Sequence, residues 1–270
     1  MKSILPIIVQ PTGGLCNRLR TIASATELAK RMNRKMIVLW IQDHTLNAPF
    51  YSLFNTLPFI VINSKQGGFI QKTIWNICKI SGYTFFDDTW VYENARGKDY
   101  NLWKNMIENS MPFIVSSCDI FKDVGDYSIF VVSNHIKNML VKKGDESKMI
   151  GIHIRRTDNE MAIRYSPTSL FVQKIHEEIV KNPSVMFYLA TDDPWEEELI
   201  ISKFPNKIIV HKKRSLDRNT PIAIEDAVVD LANLSHCEKL YGSYWSSFSD
   251  VAALWGGVTK EVLKTSSVTD

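Results

Sequence analysis

The chain is short of several features that would place it in a familiar class. Its 270 residues include four cysteines, Cys16, Cys78, Cys118 and Cys237. They lie far apart without a C-x-x-C pair, so neither a zinc site nor a disulfide framework is expected, and reduced thiols in a cytoplasmic protein fit best. No apolar run approaches the ~18 residues that cross a bilayer, so no integral membrane segment is expected. The opening "MKSILPIIVQPTGG" reads as a first strand, because a signal peptide needs a longer apolar region and a small-residue cleavage site. Excess charge is also missing: 32 basic against 29 acidic residues leave +3. That balance does not suggest a nucleic-acid partner, and any basic site must be local. Neither G-x-x-x-x-G-K-[ST] nor G-x-G-x-x-G follows a strand, which disfavours a Walker-type site and a dinucleotide oxidoreductase. An obvious D-x-D motif, internal repeats and low-complexity segments are likewise missing.

What is present is ordinary globular material, 45% hydrophobic and 23% charged, enough for a substantial core. Residues 4–9 read as a strand in which Pro6 implies an edge position or a late start. Leu15, Leu19, Ile22, Ala23, Ala29 and Met32 follow helical spacing, and residues 35–41 form a strand-length apolar run. Residues 42–70 are turn-rich and ambiguous. A helix is expected over 69–80 and a strand over 111–118, after which 122–148 turn polar, with 141–148 the best linker. The second half alternates regularly: strand 149–154, helix near 167–181, strand 185–191, helix from Asp193, strand 207–211, helix 222–236, strand 238–243. A last helix carries Phe248, Val251, Ala252 and Trp255 on one stripe. Alternating strands and helices imply parallel sheets covered on both faces. The fold class is therefore α/β, with one domain over 1–145 and a second over 146–270.

Ligands of open parallel sheets sit beyond the carboxyl ends of the strands, so those ends carry the candidate residues. After the first strand comes a turn at Gly13 and Gly14 that leads into a helix N-terminus. Such a turn is an anion or carbohydrate contact, or simply a tight turn. Asn17 reads as a polar ligand contact or a first-turn residue, and Arg18 and Arg20 read equally well as solvated. After strand 149–154 comes "RRTDN". Strand alternation puts His153 and Arg155 on one side and Arg156 on the other. Two arginines at a strand end are costly unless each finds an anion, and the planar guanidinium suits a phosphate. Arg155 is assigned to phosphate. Arg156 is balanced between phosphate and a carboxylate such as Asp158. After strand 185–191, Asp193 followed by Pro194 has the form of a helix cap, which leaves Asp192 as the better functional candidate. After the last strand, Ser247 and Asp250 form a capping pattern, which leaves Ser246 and Ser249 for a ligand. An arginine pair, carboxylates and a serine-lined helix start together suit a nucleotide diphosphate.

"GIHIRRTDN", "FYLATDDP", "EDAVVDLANLS" and "GSYWSSFSDVAALW" resemble, in order and approximate spacing, the motifs of α-1,6-fucosyltransferases and bacterial nodulation fucosyltransferases. "GGLCNRL" resembles the opening loop of the wider superfamily, which includes α-1,2- and protein O-fucosyltransferases. The resemblance covers roughly 149–258 and the first twenty residues; residues 42–140 match nothing comparable. It implies a GT-B-type glycosyltransferase of two Rossmann-like domains. It implies GDP-fucose as donor substrate, a carbohydrate acceptor, no metal or other cofactor, and inversion at the anomeric carbon. By the same resemblance Arg155 binds the β-phosphate and His153 lies against the nucleotide. Asp230 bonds guanine, although it flanks the apolar stripe of its helix and reads equally as solvated. Ser246 or Ser247 contacts the diphosphate, with Ser249, Arg156 and Asp158 counted in the donor-binding set. Asp192 and Asp193 lie near the donor, and Asn17 faces the reacting sugar. Glu160 is the available general base, but the segment after the arginines is shorter than in the α-1,6 enzymes, so a surface glutamate reads at least as well. Acceptor contacts are assigned to the first domain, where Trp75, Trp90 and Trp103 stack on sugars or, as aromatics more often do, pack in the core.

Overall fold

The computed structural model describes residues 5–55, 57–94, 105–106, 109–121, 124–142, 149–217 and 219–265. Two compact units divide the chain, Met1–Asn134 with Asp217–Glu225, and His135–Leu216 with Asp226–Asp270. The domain boundary expected near residue 145, most of the expected linker, and Trp103 lie outside the described residues.

The first unit holds a parallel sheet of β1 (Ile7–Pro11), β2 (Met36–Gln42), β3 (Ile60–Lys65), β4 (Thr84–Phe86) and β5 (Pro112–Ser116), in the order β3-β2-β1-β5-β4. Every residue of β1 is buried, as a central parallel strand requires. Pro6 precedes the strand instead of interrupting it, so its missing N–H costs the ladder nothing. The helix α1 (Leu15–Arg31) buries most of its length. The short α2 (Phe50–Leu53) and α4 (Asp88–Asn94) flank α3 (Phe69–Ile80), whose bounds coincide with the expected 69–80. Trp75 packs in the core against Phe85 and Phe113 and donates from Nε1 to Gln10 Oε1 at 2.8 Å. Trp90 leans on Phe86 with ring centroids 4.7 Å apart. Both follow the packing alternative.

The second unit repeats the parallel plan with β6 (Ile150–Ile154), β7 (Phe187–Thr191), β8 (Ile208–Val210), β9 (Lys239–Ser243) and β10 (Thr259–Leu263), in the order β10-β9-β6-β7-β8. The fold is thus α/β with two parallel sheets. β6 and β7 are buried at every position. Ile150, Ile152, Ile154, Phe187 and Leu189 form the core with Phe171 and Ile175 of the Thr168–Lys181 helix.

The same helix buries Glu178, which accepts from Lys239 Nζ at 2.8 Å, Tyr241 Oη at 2.9 Å and Lys181 Nζ at 3.2 Å. Burial alone would raise this carboxyl, but the bonds from Lys239, Tyr241 and Lys181 hold its pKa down at about 2. A depressed acid stabilises the fold above its unfolded pKa, and the contribution fades as pH falls toward the folded value. Glu178→Gln is therefore expected to lower the unfolding temperature at neutral pH and to flatten the loss of stability below about pH 4.5. Thermal unfolding scans across that range check both effects.

Candidate functional site

In the second unit, β6 lies between β9 and β7, and its exit loop is held from both neighbours. The Arg155 N–H donates to Ser243 Oγ at the end of β9 at 2.9 Å. The Arg156 N–H donates to Asp192 Oδ1 just past β7 at 2.8 Å. From there the two arginines separate. Arg155 Nη1 stands 2.9 Å from Asp192 Oδ2 and Nη2 pairs with Asp158, while the side chain keeps 22% exposure. Asp192 also accepts from the Thr157 hydroxyl at 2.5 Å. One carboxylate thus organises the loop and steadies the Arg155 guanidinium. Asp158 itself is mostly exposed.

Arg156 turns inward. Its Nη2 lies 3.0 Å from Glu196 Oε1 and 3.1 Å from Thr168 Oγ1, and Nη1 donates to Arg155 O at 2.9 Å. The anion it finds is a buried carboxylate, which follows the carboxylate alternative, with Glu196 in the place suggested for Asp158. Asp230 is likewise engaged inside the second unit. It is 3% exposed, accepts from Tyr188 Oη at 2.7 Å and lies 3.3 Å from Lys213 Nζ. Both oxygens are engaged in the interior, so it is not a solvated residue at the edge of its helix. Lys213 carried no signal in the sequence beyond its charge.

His153 is buried and stacks on Phe248, with ring centroids 4.9 Å apart and planes 21° apart. Its Nδ1 has no hydrogen-bond partner, a condition that costs about 1–3 kcal/mol unless a ligand or water meets the atom. Burial first, and then the Arg155 guanidinium, push the imidazole pKa down to about 3, so the ring is neutral at physiological pH.

The serine-rich end resolves into distinct roles. The last helix is Ser247–Gly256, and its N-cap is Ser246, one residue before the expected cap; no side chain caps it. Asp250 pairs with Lys260. The Ser246 side chain therefore supplies no capping oxygen to the first-turn N–H groups, which favours an anion there. Ser249 is fully buried against Gly242, where an added Cβ would lie 2.4 Å from Ser249 Oγ. It fits the last helix closely to β9. Asp193 caps the Pro194–Lys203 helix by accepting from the Trp195 N–H at 2.9 Å, as its form predicts.

Glu160 is an exposed residue of the Glu160–Tyr165 helix, whose cap Asn159 accepts from the Ala162 N–H at 2.9 Å. A first-turn acid is favourable there for its own sake. Asn159 Nδ2 also donates to Trp245 O at 2.9 Å. Trp245 is 68% exposed with φ of 57°, a conformation that costs a non-glycine residue energy and collects at functional sites. Neither Trp245 nor Ser243 stood out in the sequence, where both pass as parts of a strand end.

In the first unit, Gly13 has φ of 73°, and a Cβ there would lie 3.0 Å from Asn17 Nδ2; glycine is needed. Gly14 is the extended N-cap of α1. Asn17 Oδ1 accepts from Arg20 Nη2 at 3.2 Å. Arg18 is not solvated: it is fully buried, donates to Gly13 O at 2.6 Å and to Ile41 O, and pairs with Asp43 at 2.8 Å. Beside this loop, Asp88 accepts from the Ser117 N–H at 2.7 Å and Ser117 Oγ at 2.6 Å. Asp88 and Ser117 fall in a stretch that resembles nothing comparable, so no motif marks them. Among the described residues, no three His, Cys, Asp or Glu side chains are placed to hold a metal ion, and no helix is long and apolar enough to cross a membrane.

Two α/β units with parallel sheets, and an arginine held at the end of the central strand of one, define a known fold. It is the fold of fucosyltransferases. A NodZ α-1,6-fucosyltransferase crystal soaked with GDP-fucose matches with a TM-score of 0.62 at 15% identity, over 93% of this chain and 92% of that one. Arabidopsis thaliana FUT1, as a mutant in complex with GDP, matches with a TM-score of 0.62 at 14% identity, over 96% of this chain and 70% of that one. POFUT1 in complex with GDP matches with a TM-score of 0.58 at 12% identity, over 96% and 98%. No protein-family model and no curated protein sequence matches the chain. The likeness expected from the motifs is therefore a likeness of fold as well.

Proposed function

We propose that the chain transfers fucose from GDP-fucose to a hydroxyl of a carbohydrate acceptor. The observation that carries this reading is the Arg155 guanidinium, fixed at a strand end by Asp192 and Asp158 beside a helix start that no side chain caps. Those parts suit a diphosphate. Structural neighbours with GDP or GDP-fucose bound support reading that diphosphate as part of a guanine nucleotide.

In this reading the two units are the Rossmann-like halves of a GT-B enzyme, with the donor in the second and the acceptor on the first. Arg155 binds the β-phosphate, Ser246 and Ser247 line the diphosphate at the helix start, and the neutral His153 offers Nδ1 to the nucleotide. Asp192 acts through Arg155, and Asn17 of the Gly13–Gly14 turn faces the sugar. The acceptor oxygen attacks the anomeric carbon as its bond to GDP breaks, inverting that centre. Negative charge grows on the departing phosphate, where Arg155 offsets it without a metal. Glu160 is the residue available to take the acceptor proton. The four buried thiols fit a reducing, cytoplasmic setting.

Ligand-induced stabilisation tests the nucleotide. GDP at about a hundred times its Kd should add about 2.7 kcal/mol, raising the unfolding temperature by several degrees without magnesium. UDP and NAD should leave it unchanged. Stabilisation by UDP and not by GDP would refute the assignment.

A further inference from the structure

The inner face of α3 is accounted for by Ile74, Trp75 and Cys78, which pack on the sheet. Its outer face is not polar. Phe69 is 84% exposed, Ile70 48%, Ile77 56% and Ile80 88%. Ile70, Ile77 and Ile80 follow i, i+7, i+10 spacing and form one stripe along the helix, with Phe69 at its start. The charge around this stripe has one sign. Exposed Lys72 and Lys79 lie along one side of it with exposed Asn76, exposed Lys65 precedes it, and no acidic residue occurs between Asp43 and Asp87.

An exposed apolar stripe on a helix whose charges are all lysines is the make-up of a helix that lies in a lipid–water interface. At 12 residues α3 is too short to span a bilayer, so an in-plane position is the one its length allows. Lysine stems run along apolar surface while the ammonium reaches a phosphate. We propose that α3 docks the protein on an anionic bilayer surface. Phe69, Ile70, Ile77 and Ile80 enter the headgroup–acyl boundary, and Lys72 and Lys79 pair with lipid phosphates. A second copy of the chain is a poorer occupant. A twofold contact through this face would set lysines against lysines with no carboxylate on the helix to meet them. The inference rests on α3 alone and does not depend on the transfer reaction.

Cosedimentation of the full chain with vesicles tests it. Binding is expected to phosphatidylcholine vesicles that contain phosphatidylglycerol and to be weak with phosphatidylcholine alone. Ile77→Asp with Ile80→Asp should abolish it. Lys72→Glu with Lys79→Glu should weaken it by about tenfold or more, since each lysine near an anionic surface is worth about fivefold. All four positions are exposed, so both double variants should unfold at the wild-type temperature. No binding to the anionic vesicles overturns the proposal, as does binding that both variants retain. So does a dimer in sedimentation velocity that Ile77→Asp with Ile80→Asp dissociates.

Discussion

Replacing Arg155 by alanine is expected to lower turnover of GDP-fucose by about 10²–10³-fold, the usual cost of removing one preorganised group that meets charge developing in a transition state. The fold should survive. Arg155 keeps 22% exposure, and the loop is anchored through the backbone N–H groups of residues 155 and 156, which alanine retains. Asp192 would still hold the Arg156 N–H and the Thr157 hydroxyl, so no carboxylate is stranded. Because the lost interaction strengthens as the phosphate departs, kcat should fall more than affinity for GDP-fucose, which separates a chemical role from simple binding. Asp192→Asn should produce a smaller loss in the same direction, since Arg155 would keep Asp158. Steady-state release of GDP, with GDP-fucose binding measured alongside, checks both variants. Unchanged turnover in Arg155→Ala would remove the role assigned to it.

The second large effect concerns stability. Arg18→Ala should destabilise the first unit by about 3–5 kcal/mol, the usual cost of removing one partner of a buried ion pair, and lower the unfolding temperature by about 10 °C or more. Arg18 has no exposed surface, binds two carbonyls and Asp43, and lies 5.1 Å from the ring centroid of Trp40. Alanine would leave Asp43 half-desolvated and free the Gly13 carbonyl that sets the turn. Desolvation lowers the Arg18 pKa, yet an arginine stays charged throughout the working range. Burial raises the Asp43 carboxyl, but its bonds from Thr45 and the Arg18 charge bring it below its usual value, so the pair holds into mildly acid pH. Arg18→Lys should rescue little, because one ammonium cannot span three acceptors in different directions. Combined with Asp43→Asn, Arg18→Met should cost less than the sum of the single changes. Urea unfolding of the wild type, Arg18→Met, Asp43→Asn and the double variant would settle the coupling, and a wild-type midpoint in Arg18→Ala would overturn the account.

The sequence was most legible where burial is uniform. β6 and β7, buried at every residue, read as continuous apolar runs, and α3 kept its bounds because its inner positions recur at helical spacing. β3, β4 and β10 were not read. They are short edge strands, exposed on part of their surface, and an edge strand loses the run that marks a central one. Glu160–Tyr165 is too short for a period to show. Of the candidate site, the sequence singles out Arg155, His153 and Asp192 because strand ends focus attention and alternation divides the arginines, and the structure brings Arg155 and Asp192 together. The buried charges were not. Arg18 finds Asp43 and Arg156 finds Glu196, partners far along the chain that no local spacing announces. Asp230 looked like the polar edge of a helix until Tyr188 and Lys213 closed around it.

The anchoring of the β6 exit loop has a wider consequence. Ser243 and Asp192 grip main-chain N–H groups, which every residue except proline possesses. The loop's path is therefore indifferent to the identity of residue 155, and the scaffold works as a socket that would hold a different side chain in the same place. A change of chemistry at this strand end needs one codon, with no redesign of the sheet beneath it.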